Sequence, residues 1–189
     1  MTHEGRPDTA SPQRVLSPRQ MERFRDRVLP HLDAAYNLAR YLLRDPHEAE
    51  DAVQEAALRA IRHFDGFRGE DGRAWLLSIV RNACFTLLRR RRSGSEVVEF
   101  EEAVHSEEDE ASGPEADLTR TLAVEQVQEG LARLPVEFRE ALVLRELEGL
   151  SYKEIAQVTG APIGTVMSRL ARARRHLSGV LAAGPEGGA

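Results

Sequence analysis

Apolar residues recur along this chain at three- and four-residue steps, and no stretch shows the two-residue alternation of a half-buried strand. A helix is predicted to open at Ser17-Pro18, where a capping hydroxyl precedes a first-turn proline, and Pro30 interrupts it. Leu32, Ala35, Tyr36, Ala39, Leu42 and Leu43 then make a second helical stripe. Asp45-Pro46-His47-Glu48 sets a capping carboxylate, a proline and an acid in the order of a helix start, so a third helix should run from there to about His63. Its inward positions are expected to be Val53, Ala57, Ala60 and Ile61, with Asp51, Gln54, Glu55 and Leu58 opposite. Between Asp65 and Gly72 lie three glycines in eight residues, which should end that helix and leave Phe67 and Arg68 on flexible backbone.

A long helix is predicted from Arg73 to Arg92. Leu76, Leu77, Ile79, Val80, Ala83, Cys84, Leu87 and Leu88 give it a wide apolar face; the opposite strip carries Ser78, Arg81, Asn82, Phe85 and Arg89, with Trp75 at its margin. An aromatic among arginines and an asparagine suits base stacking with phosphate contact, although for Trp75 alone half-buried packing is the simpler assignment. From Ser93 to Asp117 the chain turns acidic, with Ser, Gly and Pro and few apolar residues, and is read as a linker. Helical spacing resumes at Leu118, Leu122, Val127, Leu131 and Leu134 up to Pro135, and again from Val136 to Glu148, where Gly149 can close the helix. The expected fold is all-α: a tail at 1–16, a helical domain at 17–92, an acidic flexible linker at 93–118, a second helical domain at 119–182 and a tail at 183–189.

Composition narrows the function. With 41% hydrophobic residues but only 5% aromatics, the cores should be Leu, Val and Ala between helices. Nothing approaches a membrane span or a signal peptide, so a cytoplasmic protein without membrane contact is expected. Cys84 stands alone and the six His are scattered, so neither a disulfide nor a metal site is expected, and no cofactor motif is present. The formal charge of −5 conceals polarity: residues 1–92 hold 17 Arg against 13 acids, 93–118 hold 10 acids and no base, and 119–189 hold 9 bases against 8 acids.

The strongest local signal is Ser151 to Val166. Ser151 with Glu154 forms a capping box, Ala156 is small where two helices would cross, Gly160 permits a tight turn and Val166 anchors the next helix. This is a helix-turn-helix. In its second helix Ile163, Val166, Leu170 and Leu177 are expected inward, while Thr165, Ser168, Arg169, Arg172, Arg175 and His176 fall on the outer face, where hydroxyls and guanidinium forks fit phosphates and guanine edges in a major groove.

Glu48-Ala49-Glu50-Asp51-Ala52-Val53-Gln54-Glu55, Phe67-Arg68-Gly69, Ala74 through Asn82, Leu134-Pro135 and the helix-turn-helix ending Gly164 to Arg174 together resemble the bacterial RNA polymerase sigma factors of the extracytoplasmic-function class. The resemblance covers about residues 20–92 and 119–182. It implies that Asp51, Gln54 and Glu55, otherwise a solvated acidic face, dock on the clamp helices of the polymerase beta-prime subunit. It implies that Phe67, Arg68, Asn82 and their neighbours Trp75, Ser78, Arg81, Phe85 and Arg89 hold the opened −10 element, and that Thr165, Ser168, Arg169, Arg172, Arg175 and His176 contact the −35 duplex. Core polymerase, including its beta flap, promoter DNA and an anti-sigma factor are the partners such a protein has. No catalytic residue is expected. A free-standing helix-turn-helix regulator would need a dimer interface, and no heptad pattern supplies one; an enzyme would need a nucleophile-base pair or paired carboxylates, and none is evident.

Overall fold

The computed structural model describes residues 16–69, 71–94 and 126–183, which are mostly helical with no strand among them. The acidic segment read as a linker, apart from its first two residues, lies outside the described residues, as do the tails apart from Leu16 and Ala183. Eight α-helices follow in order: α1 (Pro18–Arg27), α2 (Leu32–Leu43), α3 (Pro46–His63), α4 (Gly72–Gly94), α5 (126–132), α6 (Val136–Leu142), α7 (Tyr152–Thr159) and α8 (Ile163–Ala183). They form an N-terminal bundle, α1–α4, and a C-terminal one, α5–α8.

Local chemistry sets most boundaries. Ser17 and Gln20 close a reciprocal box, the Ser17 amide donating to the Gln20 amide oxygen at 2.8 Å. The Glu48 amide donates to Asp45 Oδ1 at 2.9 Å at the head of α3, and the Ala74 amide to Asp71 Oδ1 at 2.9 Å at the head of α4. Pro30 diverts the chain into a short 3₁₀ turn between α1 and α2. Ser151 and Glu154 box the start of α7, which ends where Gly160 takes φ +67°. The stretch expected as one helix to Glu148 loosens after Leu142 into a π-type turn over Val143–Leu147 before Gly149, at φ +66°, redirects the chain. Helix α4 continues to Gly94, two residues into the stretch assigned to the linker.

In the N-terminal bundle α2, α3 and α4 pack on one another around Leu38, Leu42, Leu43, Leu76, Leu77 and Val80, all fully buried. The inward row of α3 is Ala49, Ala52, Ala56 and Ala60, whose small side chains let the helices approach closely. Of the four inward positions expected, Ala60 is buried and Val53, Ala57 and Ile61 are half-buried at the edge: Val53 and Ile61 are too large for the close approach, and Ala57 lies one position round the helix from the inward row. In the C-terminal bundle Val143, Leu144, Ile155, Val166 and Leu170 form the core. Ile163 does not join it: it is 47% exposed at the first position of α8, before the helix crosses α6. Cys84 is a buried core residue, and burial pushes its thiol up to about 12.

The glycine-rich loop is less free than its composition suggests. Phe67 is only 7% exposed, stacked on Phe64 at 5.6 Å and against Trp75 at 4.7 Å, with Phe24 edge-on to Phe64 at 5.3 Å. The expectation of Phe67 on flexible backbone is therefore corrected: an apolar ring beside two others gains more by burial than by exposure. Arg68 does stay exposed. Gly72 is where α4 meets α1; a Cβ there would stand 1.9 Å from the Arg27 carbonyl oxygen.

Candidate polymerase and nucleic-acid interface

Helix α3 turns Asp51 and Gln54 to solvent, with Leu58 one turn further on at 51% exposure. Glu55 is half-exposed and accepts from Arg59 Nε at 2.7 Å, a bond that holds its carboxyl below the usual carboxylate range. Asp51, Gln54 and Leu58 thus make a one-turn-spaced stripe of acid, amide and apolar surface, with no partner recorded among the described residues.

On another side of the same bundle, α3 and α4 enclose a cleft of about 300 Å³ lined by Arg59, His63, Trp75, Ile79 and Asn82. Asn82 is exposed, Trp75 half-buried against Phe67, and His63 Nδ1 donates to the Arg59 carbonyl at 2.8 Å. The cleft therefore offers an aromatic face, an amide and a cation at one place. Arg59 and His63 escaped the sequence reading because they lie at the end of a helix whose role was read from its first half. Ser78 donates its hydroxyl to the Trp75 carbonyl at 2.7 Å, so its oxygen can still accept. Arg89 is exposed further along α4.

Arg81 and Phe85 are placed differently from the outward strip expected of them. The Arg81 guanidinium lies over the Phe85 ring at 4.3 Å and donates from Nε to Glu140 Oε1 at 2.5 Å, leaving its side chain 17% exposed. Glu140 belongs to α6, so this pair joins the two bundles. Burial pushes the Glu140 carboxyl up, and Arg81 pulls it back. A second bridge runs from Arg73 Nη2 to Glu148 Oε2 at 2.6 Å, with Asn37 Nδ2 donating to Glu148 Oε1 at 3.2 Å. Arg81 faces outward within its own bundle and is covered by the other, which a helical wheel cannot show, while Asn82 and Arg89 of the same strip stay exposed.

In α8, Ser168, Arg172, Arg175 and His176 are exposed, and Thr165 and Arg169 are half-buried. Among the described residues Arg172 and Arg175 have no recorded carboxylate partner. Arg174, the neighbour left out of the reading face, is held by Glu146 at 2.6 Å. Met167, 52% exposed beside Ser168, joins that face and was not anticipated. The π-type turn and Arg139, which donates to the Ala132 carbonyl at 3.3 Å and whose buried guanidinium is pushed down to about 10, fix the angle of the bundle behind α8.

Comparison with known proteins covers both bundles. The family model of Sigma-70 region 2 matches residues 28–94, and that of Sigma-70, region 4 matches residues 124–177. The RNA polymerase sigma-H factor of Pseudomonas aeruginosa is 37% identical over 161 residues, spanning 82% of this chain and 83% of that protein. The ECF RNA polymerase sigma factor EcfG of Rhodopseudomonas palustris is 35% identical over 159 residues, 84% of each. The chain belongs to the extracytoplasmic-function class of sigma-70 factors. Like them, this sigma factor binds core RNA polymerase and promoter DNA and directs promoter-specific transcription initiation. The sigma factor RpoE of Bartonella quintana, solved in complex with the anti-sigma factor NepR, superimposes with a TM-score of 0.71 at 29% identity, covering 85% of this chain and 98% of that one. A superposition of that extent takes in both bundles. No helix among the described residues is long and apolar enough to cross a membrane.

Proposed function

We propose that this sigma factor divides its task among three surfaces. Asp51, Gln54 and Glu55, with Leu58, dock on the clamp helices of the beta-prime subunit. The cleft of Trp75 and Asn82, with Ser78, Arg89, the exposed Arg68 and, once uncovered, Arg81 and Phe85, receives the unstacked non-template strand of the −10 element, Phe67 supporting it from beneath. Unstacking a base costs a few kcal/mol, and an aromatic face beside an amide and a cation recovers that cost. Thr165, Ser168, Arg169 and Arg172 read the −35 duplex, and Arg175 and His176, farther along α8, contact phosphates. The reaction is the polymerase's; the sigma factor contributes selection and opening without catalytic residues of its own, in the cytoplasm where polymerase works. An anti-sigma factor is proposed as a further partner, supported by the superposition on a relative solved with one. The proposed domain limits are 17–92 and 119–182, with the linker 93–118 between them.

The observation that carries this reading is the contrast on α8: Arg174 is tied to Glu146, while Arg172 and Arg175 have no recorded carboxylate partner among the described residues and stand on the same outer face as Ser168. Arg172→Ala is expected to cost about 1–3 kcal/mol in affinity for the −35 duplex that the holoenzyme selects from a randomised pool, and much less on scrambled duplex. Fluorescence anisotropy on both duplexes measures this. An equal loss on the two would reduce Arg172 to a phosphate contact.

A further inference from the structure

We propose that the free sigma factor is latched shut by two carboxylates of its C-terminal bundle, Glu140 and Glu148, which occupy Arg81 and Arg73 of α4 and stand in for the nucleic acid that α4 takes up when the chain opens. The inference rests on the assignment of α4 to the −10 element.

The geometry has three parts. Arg81 meets Glu140 through Nε at 2.5 Å and Nη2 at 3.4 Å, both carboxylate oxygens engaged, which is the two-pronged geometry a guanidinium also uses on a phosphate. Glu140 is fully buried, and the field of Arg169 of α8 adds to that of Arg81 in favouring its charged form. Arg73, about two turns earlier on α4, and Asn37 on α2 share Glu148, so the C-terminal bundle is held at two points. Around these pairs α7 packs along α4 and α6 against α2. Within α4, Arg81 also lies over the Phe85 ring at 4.3 Å, so the guanidinium that Glu140 holds covers one face of that ring.

The bond type suits a latch. A buried ion pair contributes little net stability, because the desolvation of both groups offsets their attraction, while removing one partner strands the other. Closing is therefore reversible: on opening, Glu140 and Glu148 return to water and the arginines exchange carboxylate for phosphate. The connecting residues 95–125, at about 3.3 Å each, reach about 100 Å, enough for the bundles to part.

The test places one dye or spin label at Gln54 and one at Ser178, both exposed and on different bundles, through introduced cysteines; buried Cys84, with its thiol pushed to about 12, is not labelled in the native chain. Wild type should show one short, narrow distance. Arg81→Glu, which sets like charges against each other, and Glu140→Arg should each give a longer, broad distribution, and the double exchange Arg81→Glu with Glu140→Arg should restore the short one. Helical circular dichroism is expected to be unchanged, and because the two single variants lie in different bundles, misfolding of one leaves the other to decide. Glu140→Ala, which frees Arg81, should bind a single-stranded −10 oligonucleotide about tenfold more tightly if the closed form holds about nine-tenths of the free chain. An unchanged distance in Arg81→Glu, or no recovery in the double exchange, overturns the latch. Opening in both single variants with recovery, but no gain in oligonucleotide affinity, supports the latch and overturns instead the −10 assignment of Arg81.

Discussion

Asp51→Arg combined with Gln54→Ala should weaken binding to core RNA polymerase at least about a hundredfold, close to 3 kcal/mol at about 1.4 kcal/mol per decade, while leaving the fold intact. The size follows from the composition of the stripe. Interfaces concentrate their energy in a few central side chains, and putting a cation where the partner expects an anion adds repulsion to the lost contact. The fold is spared because both side chains project into solvent from mid-helix, with buried Ala52 and Ala56 carrying the packing behind them. Surface changes of that kind alter stability by about 0.5 kcal/mol or less. Surface plasmon resonance on immobilised core, beside helical circular dichroism, measures both halves. Retained affinity would remove this face from the polymerase interface.

Gly72→Ala should destabilise the N-terminal bundle by about 3 kcal/mol or more. The new methyl would lie 1.9 Å from the Arg27 carbonyl oxygen and 2.8 Å from its carbon, and both are backbone atoms at the end of α1 that cannot swing aside. To admit it, α4 must lift at its first turn, which loosens the Ala74–Asp71 cap and pulls Trp75 from Phe64 and Phe67. At about 2–4 °C per kcal/mol for a chain of this size, the melting temperature should fall by about 6–12 °C. Gly66→Ala is the control: nothing lies within 4 Å of its Cβ position, and a shift within about 1 °C is expected. A melt of Gly72→Ala matching wild type would mean that α1 and α4 are not in contact in solution.

What could be read from the sequence, and what could not, divides along the range of the interactions. The starts of α1, α3 and α7 were legible because Ser17, Asp45 and Ser151 act within three residues of themselves, and Gly160 was legible because it answers a local backbone demand. The helix-turn-helix was legible as the sum of such signals. The fate of Phe67 was not: its neighbours Phe64 and Trp75 come from elements on either side of it, and glycine content spoke only for the loop's own freedom. Arg81 and Glu140 are 59 positions apart, so the wheel that showed Arg81 facing out of its bundle held no information about a second bundle arriving there. Glu140 did leave a trace, a carboxylate among Val136, Leu142 and Val143, which marks a buried acid in need of a cation. The family resemblance supplied roles for α3 and α4 that residue physics left as a solvated face and a packed aromatic.

The measurement closest to the central claim is run-off transcription with purified core polymerase on a template carrying the selected −10 and −35 elements. The account predicts a transcript of defined start only when wild-type chain and core are both present, its loss when the −10 or −35 sequence is scrambled, and its loss with the Asp51→Arg, Gln54→Ala chain. Equal transcript from the scrambled templates, or transcript from core alone, would contradict it.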